Sequence, residues 1–360
     1  MWKSKMNTSR TWKRKATLPL TLVLGLALSG CGGSGTGNTA TADPAASPSL
    51  TAQPSAAADS KLVVYTAGPE GLANKLIEGF EAKSGVKVEV FQGTTGKILA
   101  RMEAEKSNPT VDVVILASLP SAQGLKEDGL TMPYPDAANA DKLNPDWSDA
   151  EGHYFSTSAS ALGIAYNTNL VTSPPASWAD LSKPEYKDQV NIPDPSLSGS
   201  ALDFMTGYLN SVGDSGWTLF EDYKRNGVTV AGANREALDP VITGAKGIVA
   251  AAVDYMTYSA KAKGEPIDII YPQEGTVVSP RPAAIMKSTK HEANAKAFID
   301  YLLSDEAQKL VTDAYLLPGR TDITADNRAN LNDIPLFKVD WKWMNDHGSE
   351  VTEQFLKLFK

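Results

Sequence analysis

The order of apolar patterns from residue 61 to residue 120 constrains the fold more than any other feature of the chain. Residues 61–66 (Lys-Leu-Val-Val-Tyr-Thr) read as a strand, and Leu72, Leu76, Ile77 and Phe80 then recur at helical spacing until Gly85 supplies a stop. Residues 86–91 are a second strand, followed by Gly93-Thr94-Thr95-Gly96 and a helix carrying Ile98, Leu99 and Met102. Residues 111–116 are a third, followed by Ala117-Ser118-Leu119-Pro120 and another short helix. Strand and helix alternate three times. Joined by right-handed crossovers, such a run makes a parallel sheet whose carboxyl ends open on one edge, where α/β folds bind ligands.

The rest of the chain extends this α/β pattern. Residues 130–160 contain few clear elements, and residues 162–166, 190–192, 228–231, 248–252 and 267–271 read as strands. Trp178 and Leu181 are expected to anchor the second half. The amphipathic segment 293–315 reads as one long helix stopped by Pro318-Gly319, and Trp341, Trp343, Phe355, Leu356 and Phe359 read as the packed face of a C-terminal helix.

The strand-end loops carry the candidate site. Thr66-Ala67-Gly68, Thr94-Thr95-Gly96 and Ser118 each place a small or hydroxyl residue at a helix start. Ser198-Gly199-Ser200 does the same after the strand 190–192 and the prolines Pro193 and Pro195. A helix start offers unpaired N–H groups and about half a positive charge, which suits an anion; each loop taken singly also reads as ordinary turn and cap chemistry, and it is their repetition that points to a shared site. Asn234 adds an amide. Arg235 is either a bidentate clamp for phosphate or a solvated first-turn residue. Asp254 either caps its helix or accepts hydrogen bonds from ligand hydroxyls or an amine, beside Tyr255, and Glu274 is either a second ligand carboxylate or part of a polar hinge turn.

Charge and leader bound the setting. With 34 basic and 42 acidic residues and a formal charge of −8, nucleic acid is not the expected partner. Residues 1–15 are basic and residues 16–28 apolar but too short to span a bilayer, so residues 1–30 read as a secretory signal. Leu28-Ser29-Gly30-Cys31 resembles the lipobox of bacterial lipoproteins, which makes Cys31, the only cysteine, the lipidated residue. Residues 31–60, rich in Gly, Ser, Thr, Ala and Pro, form the anchor and a flexible tether. The spelling G-x-G-x-x-G at residues 30–35 has neither a strand before it nor a helix after it, so it is no dinucleotide site.

Residues 62–67, 80–88, 104–109, 111–114, 163–171, 177–181, 194–200, 274–278 and 297–304 form an ordered set of segments. Taken together they resemble the family-1 extracellular solute-binding proteins of ABC importers, in the branch that binds ferric iron, organophosphates and phosphonates. The resemblance implies a two-lobe periplasmic-binding-protein-like fold of type II with a ligand cleft between mainly parallel sheets. It implies lobe 1 over residues 61–162, lobe 2 over 163–275, a return to lobe 1 over 276–320 and a C-terminal helical segment over 321–360. It further implies a monomer without cofactor that delivers its solute to ABC permease subunits at the outer face of the cell membrane.

Enzyme signatures are missing: no P-loop, no G-x-S-x-G, no H-E-x-x-H, and His153, His291 and His347 are scattered. Binding without catalysis is the expected function, with an enzyme acting on a small phosphorylated substrate as the weaker class. Iron-binding relatives use two adjacent tyrosines; here Met256 follows Tyr255, and Tyr258 lies three residues on. The hydroxyl and amide loops favour an organophosphate or phosphonate, such as a hexose phosphate or 2-aminoethylphosphonate. Ferric iron held by Tyr255 and Tyr258 is the alternative.

Overall fold

The structure is a computed structural model that describes residues 61–360. The leader, Cys31 and the tether lie outside the described residues. The chain opens with β1 (Lys61–Thr66), α1 (Glu70–Ser84), β2 (Lys87–Gln92), α2 (Thr95–Ala104), β3 (Val113–Ile115) and α3 (Leu119–Glu127). This is the alternation expected, and β1 lies between β2 and β3 in parallel with both.

β4 (Phe155–Asn167) begins earlier than its expected start at residue 162, because residues 155–161 pair antiparallel with a strand that the periodicity did not show. The second half follows with β5 (Val190–Ile192), α4 (Gly199–Val212), α5 (Trp217–Arg225), β6 (Thr229–Val230), α6 (Asn234–Ile242), β7 (Ile248–Val253), α7 (Asp254–Ala262) and β8 (Ile267–Ile270). The unforeseen strand is β9 (Val278–Ile285), buried along its whole length. Its Ser, Pro and Arg residues break the apolar pattern, yet its backbone pairs with both β3 and β4.

The expected single helix over 293–315 is two: α8 (Glu292–Leu302) and α9 (Asp305–Asp313). Ser304 ends the first by capping the second, its hydroxyl accepting from the N–H of Ala307, with Asp305 and Glu306 on the positive first turn. The chain closes with β10 (Leu317–Pro318) and α10 (Trp341–Phe359). Residues 321–340 are therefore mostly non-helical, against the expectation of a helical segment from 321 onward.

The strands form one sheet in the order β2-β1-β3-β9-β4-β7-β5-β6, with β8 and β10 also paired to β4. Residues 155–161 of β4 pair with β9, and residues 162–167 pair with β7 and β8, so this strand carries the chain between the two halves. The register of β4 against β7 shifts between Gly163 and Ala165, and Ala251 opposite takes φ 56°, which kinks the ladder at the crossing. Each half has its own core. Leu62, Val64, Phe80, Phe298 and Ile299 fill one face of the first half and Ile98, Val114 and Leu116 the other. Trp178, Leu181, Phe204, Phe220 and Phe355 fill the second. The Trp178 indole N–H donates to the Gly275 carbonyl at 2.9 Å, tying the entry of the second half to its exit. Among the described residues no helix is long and apolar enough to cross a membrane.

Candidate functional site

Because β1, β2 and β3 are parallel, the starts of α1, α2 and α3 gather at one edge of the first half, and those of α4, α6 and α7 face them from the second. Between them lies a cleft of about 880 Å³. From the first half it is lined by Ala67, Gly68, Thr94, Thr95 and Ala117, and from the second by Ser198, Gly199, Ser200, Asn234, Arg235 and Tyr255.

The best-developed polar group is at the start of α4. The Ser198 hydroxyl caps the helix by accepting from Ala201 N–H at 3.2 Å and donates to the Asn234 carbonyl oxygen at 3.0 Å. The Asn234 amide donates in turn to the Ser200 hydroxyl at 3.0 Å. Two hydroxyls and an amide are thus held in one cluster by two helix starts. The N–H groups of Gly199 and Ser200 are left as the orphan donors of α4, and those of Asn234 and Arg235 as the orphan donors of α6. An anion at this point meets donors and two aligned helix dipoles. Arg235 stands at the rim with its side chain 73% exposed, 3.7 Å from Asp239.

The two halves touch beside this cluster. A Cβ at Gly199 would lie 2.7 Å from the Ala117 carbonyl and 2.8 Å from the Thr95 hydroxyl, and one at Gly96 would collide with the Ser196 carbonyl. Glycine is required at both by proximity. Gly96 serves this contact and does not line the cleft.

Several expected ligand groups are committed to the fold. Thr95 is buried, and its hydroxyl accepts from Ala117 N–H at 3.0 Å. The Thr66 hydroxyl accepts from Gly68 N–H at 3.0 Å, and its side chain lines a small inner cavity instead of the cleft. Ser118 caps α3 and donates to Asp203 at 2.7 Å.

Asp254 is fully buried and forms an ion pair with Arg328 at 2.6 Å, while accepting from Tyr271 and from Ala161 N–H, both at 3.0 Å. The Asp254 carboxylate more than offsets the burial that would lower Arg328, whose pKa is held above its ordinary value. Its other oxygen accepts from Tyr255 N–H at 2.7 Å, and the side chain is buried off the cleft lining, so Asp254 serves the fold and not the solute; the long-range partner Arg328 was invisible in the local pattern. Glu274 is exposed and accepts from Trp178 N–H at 2.7 Å, a hinge contact away from the cleft.

The tyrosine pair does not converge either. Tyr255 lines the cleft, whereas the Tyr258 hydroxyl meets that of Tyr271 at 3.2 Å and its ring stacks on Tyr315. Among the described residues, the one grouping of potential metal ligands is Asp149, Glu151 and His153, none of which lines the cleft.

Two buried charges were not expected. Asp203 on α4 is completely buried; it accepts from Ser118 on one oxygen and from Ser279 on the other, each at 2.7 Å. Burial pushes its carboxyl up to about 7, partly opposed by those hydroxyls and by the charge of Arg281. Arg281 on β9 lines the cleft at only 3% exposure. It donates to Ser160 at 2.9 Å and reaches the Ala67 carbonyl at 3.5 Å, and its guanidinium stands 5.3 Å from the Tyr255 ring centre. Its Nε–H is buried without an acceptor, and it forms no ion pair among the described residues. A sequence signal existed for both, since each is a charge inside an apolar run: Ala-Leu-Asp-Phe-Met, and Val-Val-Ser-Pro-Arg-Pro-Ala-Ala-Ile.

The profile of the bacterial extracellular solute-binding proteins matches residues 108–347. The chain belongs to that family. A protein of Salmonella paratyphi A described as a putative 2-aminoethylphosphonate-binding periplasmic protein is 24% identical over 73% of this chain and 80% of its own. The Fe(3+)-binding periplasmic protein of Serratia marcescens is 25% identical over 71% and 77%. The periplasmic binding protein AfuA of Actinobacillus pleuropneumoniae, solved with fructose-6-phosphate, superposes with a TM-score of 0.76 at 23% identity, covering 83% of this chain and 98% of its own. That likeness establishes the two-lobe fold. As a member of the family, the chain is a solute-binding protein, and the cleft lies between its two lobes.

Proposed function

We propose that the interlobe cleft captures a small organophosphate or phosphonate and presents it to the permease of an ABC importer, without chemical change to the solute. One observation carries the reading: the Ser198, Ser200 and Asn234 cluster at the paired starts of α4 and α6, on the wall of the cleft. Closure of the lobes around a bound anion would remove it from water, strengthening each of these hydrogen bonds. The phosphonate and sugar-phosphate relatives support this reading, and Tyr258, turned toward Tyr271, does not join Tyr255 in the cleft, whose other tyrosine is Tyr315. Cys31 is proposed as the lipid attachment site on the motif Leu28-Ser29-Gly30-Cys31, with residues 32–60 as the tether to the outer face of the membrane.

Calorimetric titration with glycerol 3-phosphate, fructose 6-phosphate, 2-aminoethylphosphonate and ferric citrate tests the proposal. At least one of the three phosphorus compounds should bind, and the double change Ser198→Ala with Asn234→Ala should weaken it at least tenfold, as expected for lost hydrogen bonds to a charged group. Binding of ferric citrate alone, or an affinity indifferent to the double change, overturns the reading.

A further inference from the structure

We infer that the cleft selects a solute with two anionic ends, a phosphoryl or phosphonyl group at the Ser198–Asn234 cluster and a carboxylate at Arg281, and discriminates against solutes bearing an ammonium group. This deepens the proposed function and rests on it.

Two observations point to the second anion. Arg281 is a guanidinium at 3% exposure on the cleft lining, with a buried Nε–H that has no acceptor. An arginine cannot shed its proton, so the charge remains however deeply it is buried, and a buried charge without a direct partner favours an arriving anion. The buried carboxylates Asp203 and Asp254 act on Arg281 only through space: neither pairs with it directly, Asp254 being paired with Arg328 and Asp203 accepting from Ser118 and Ser279. The planar guanidinium matches a carboxylate in shape and offers directed donors, which a hydroxyl or an amine cannot use as well.

The second observation is the position of the two charges in the fold. The hydroxyl and amide cluster belongs to α4 and α6 in the second half, whereas Arg281 is on β9, paired with β3 of the first half. One guest that holds both would bridge the lobes and favour their closed arrangement. Carboxylates do occur around the cleft, namely Glu70, Glu236, Asp239, Glu265 and Asp313, but each is exposed to solvent. An ammonium group placed deep in the cleft would face Arg281 with no buried carboxylate free to receive it.

The test uses matched solutes on the unaltered protein, read by calorimetry: 3-phosphonopropionate, propylphosphonate and 2-aminoethylphosphonate, with 3-phosphoglycerate against glycerol 3-phosphate as a second pair. In at least one pair the carboxylate-bearing member should bind tenfold or more tightly than its neutral analogue, and 2-aminoethylphosphonate should bind no better than propylphosphonate. Arg281→Gln should erase the preference within the pair, weakening the carboxylate-bearing member at least tenfold more than its neutral analogue. Arg281→Lys, which keeps the charge, controls for loss of folding and should retain part of the preference. Tightest binding by 2-aminoethylphosphonate, equal affinities within both pairs, or an equal loss for both members in Arg281→Gln each overturns the two-anion assignment while leaving the phosphonate reading intact. Absence of binding by all five compounds overturns the two-anion assignment, and absence of binding by fructose 6-phosphate as well overturns the proposed function.

Discussion

Replacing Asp203 by Asn should make the protein more stable above neutral pH and leave it nearly unchanged near pH 4. The carboxyl is completely buried, and burial holds its pKa at about 7, against about 3.9 in an unfolded chain. A raised carboxyl pKa means that the folded state binds the proton more tightly than the unfolded state. Its contribution to stability is therefore fully present below about pH 4 and lost as the pH rises toward about 7, after which it is constant. That difference, at 1.36 kcal/mol per pKa unit, puts the loss at about 4 kcal/mol.

The hydrogen bonds around Asp203 accommodate both forms. When the carboxyl is protonated it donates to the Ser279 hydroxyl, which then donates to the Ala117 carbonyl, 3.2 Å away. Asn reproduces this neutral pattern, its amide replacing the carboxylic O–H. Urea unfolding of wild type and Asp203→Asn at half-unit steps from pH 4.5 to 8.5 measures the difference directly. The variant's advantage should grow with pH and level off above about 7. A difference independent of pH, or a variant less stable throughout, would show that Arg281 and the serine hydroxyls compensate the ionised carboxylate fully.

The Asp254–Arg328 pair gives the opposite sign: Arg328→Met leaves a fully buried carboxylate unpaired and should cost about 3–5 kcal/mol in guanidinium unfolding, with much of the loss recovered in the Asp254→Leu, Arg328→Met double variant. Thr95→Ala strands the buried Ala117 N–H and should cost about 1–3 kcal/mol, whereas Thr95→Ser should remain near wild type in thermal melts. Gly199→Ala places a methyl 2.7 Å from the Ala117 carbonyl; it should hold the lobes apart and weaken phosphonate binding at least tenfold by calorimetry, while the stability loss stays at about 1–3 kcal/mol. Cys31→Ala should release the protein from membranes into the soluble fraction on ultracentrifugation of cell extracts.

Local periodicity made most of the architecture legible. β1, α1, β2, α2, β3 and α3 are each a short run with one dominant period and a recognisable stop, so neighbouring residues alone determine them. β9 and the first half of β4 escaped because their regularity is not in their side chains. Ser, Thr, Pro and Arg alternate with small apolar residues there, and the strands exist only because each finds the other across more than a hundred residues. The break at Leu303 was readable in principle from Ser304-Asp305-Glu306, a cap followed by two acids, but the apolar stripe ran past it.

At the site the division is similar. Ser198, Gly199, Ser200 and Asn234 could be placed at helix starts from sequence, because caps and turns are written within a few residues. Whether a carboxylate is free or already satisfied is decided by partners remote in sequence. Asp254 is neutralised by Arg328, 74 positions away, and Glu274 is held by Trp178, 96 positions away. An α/β chain whose strand ends carry anion-suited helix starts follows from local residue order alone, since both are local properties of backbone and side chain. Which charges stay unpaired emerges from long-range packing, because the electrostatic state of a buried group depends on every neighbour that folding brings to it, and among the described residues Arg281 faces the cleft without a direct ion-pair partner.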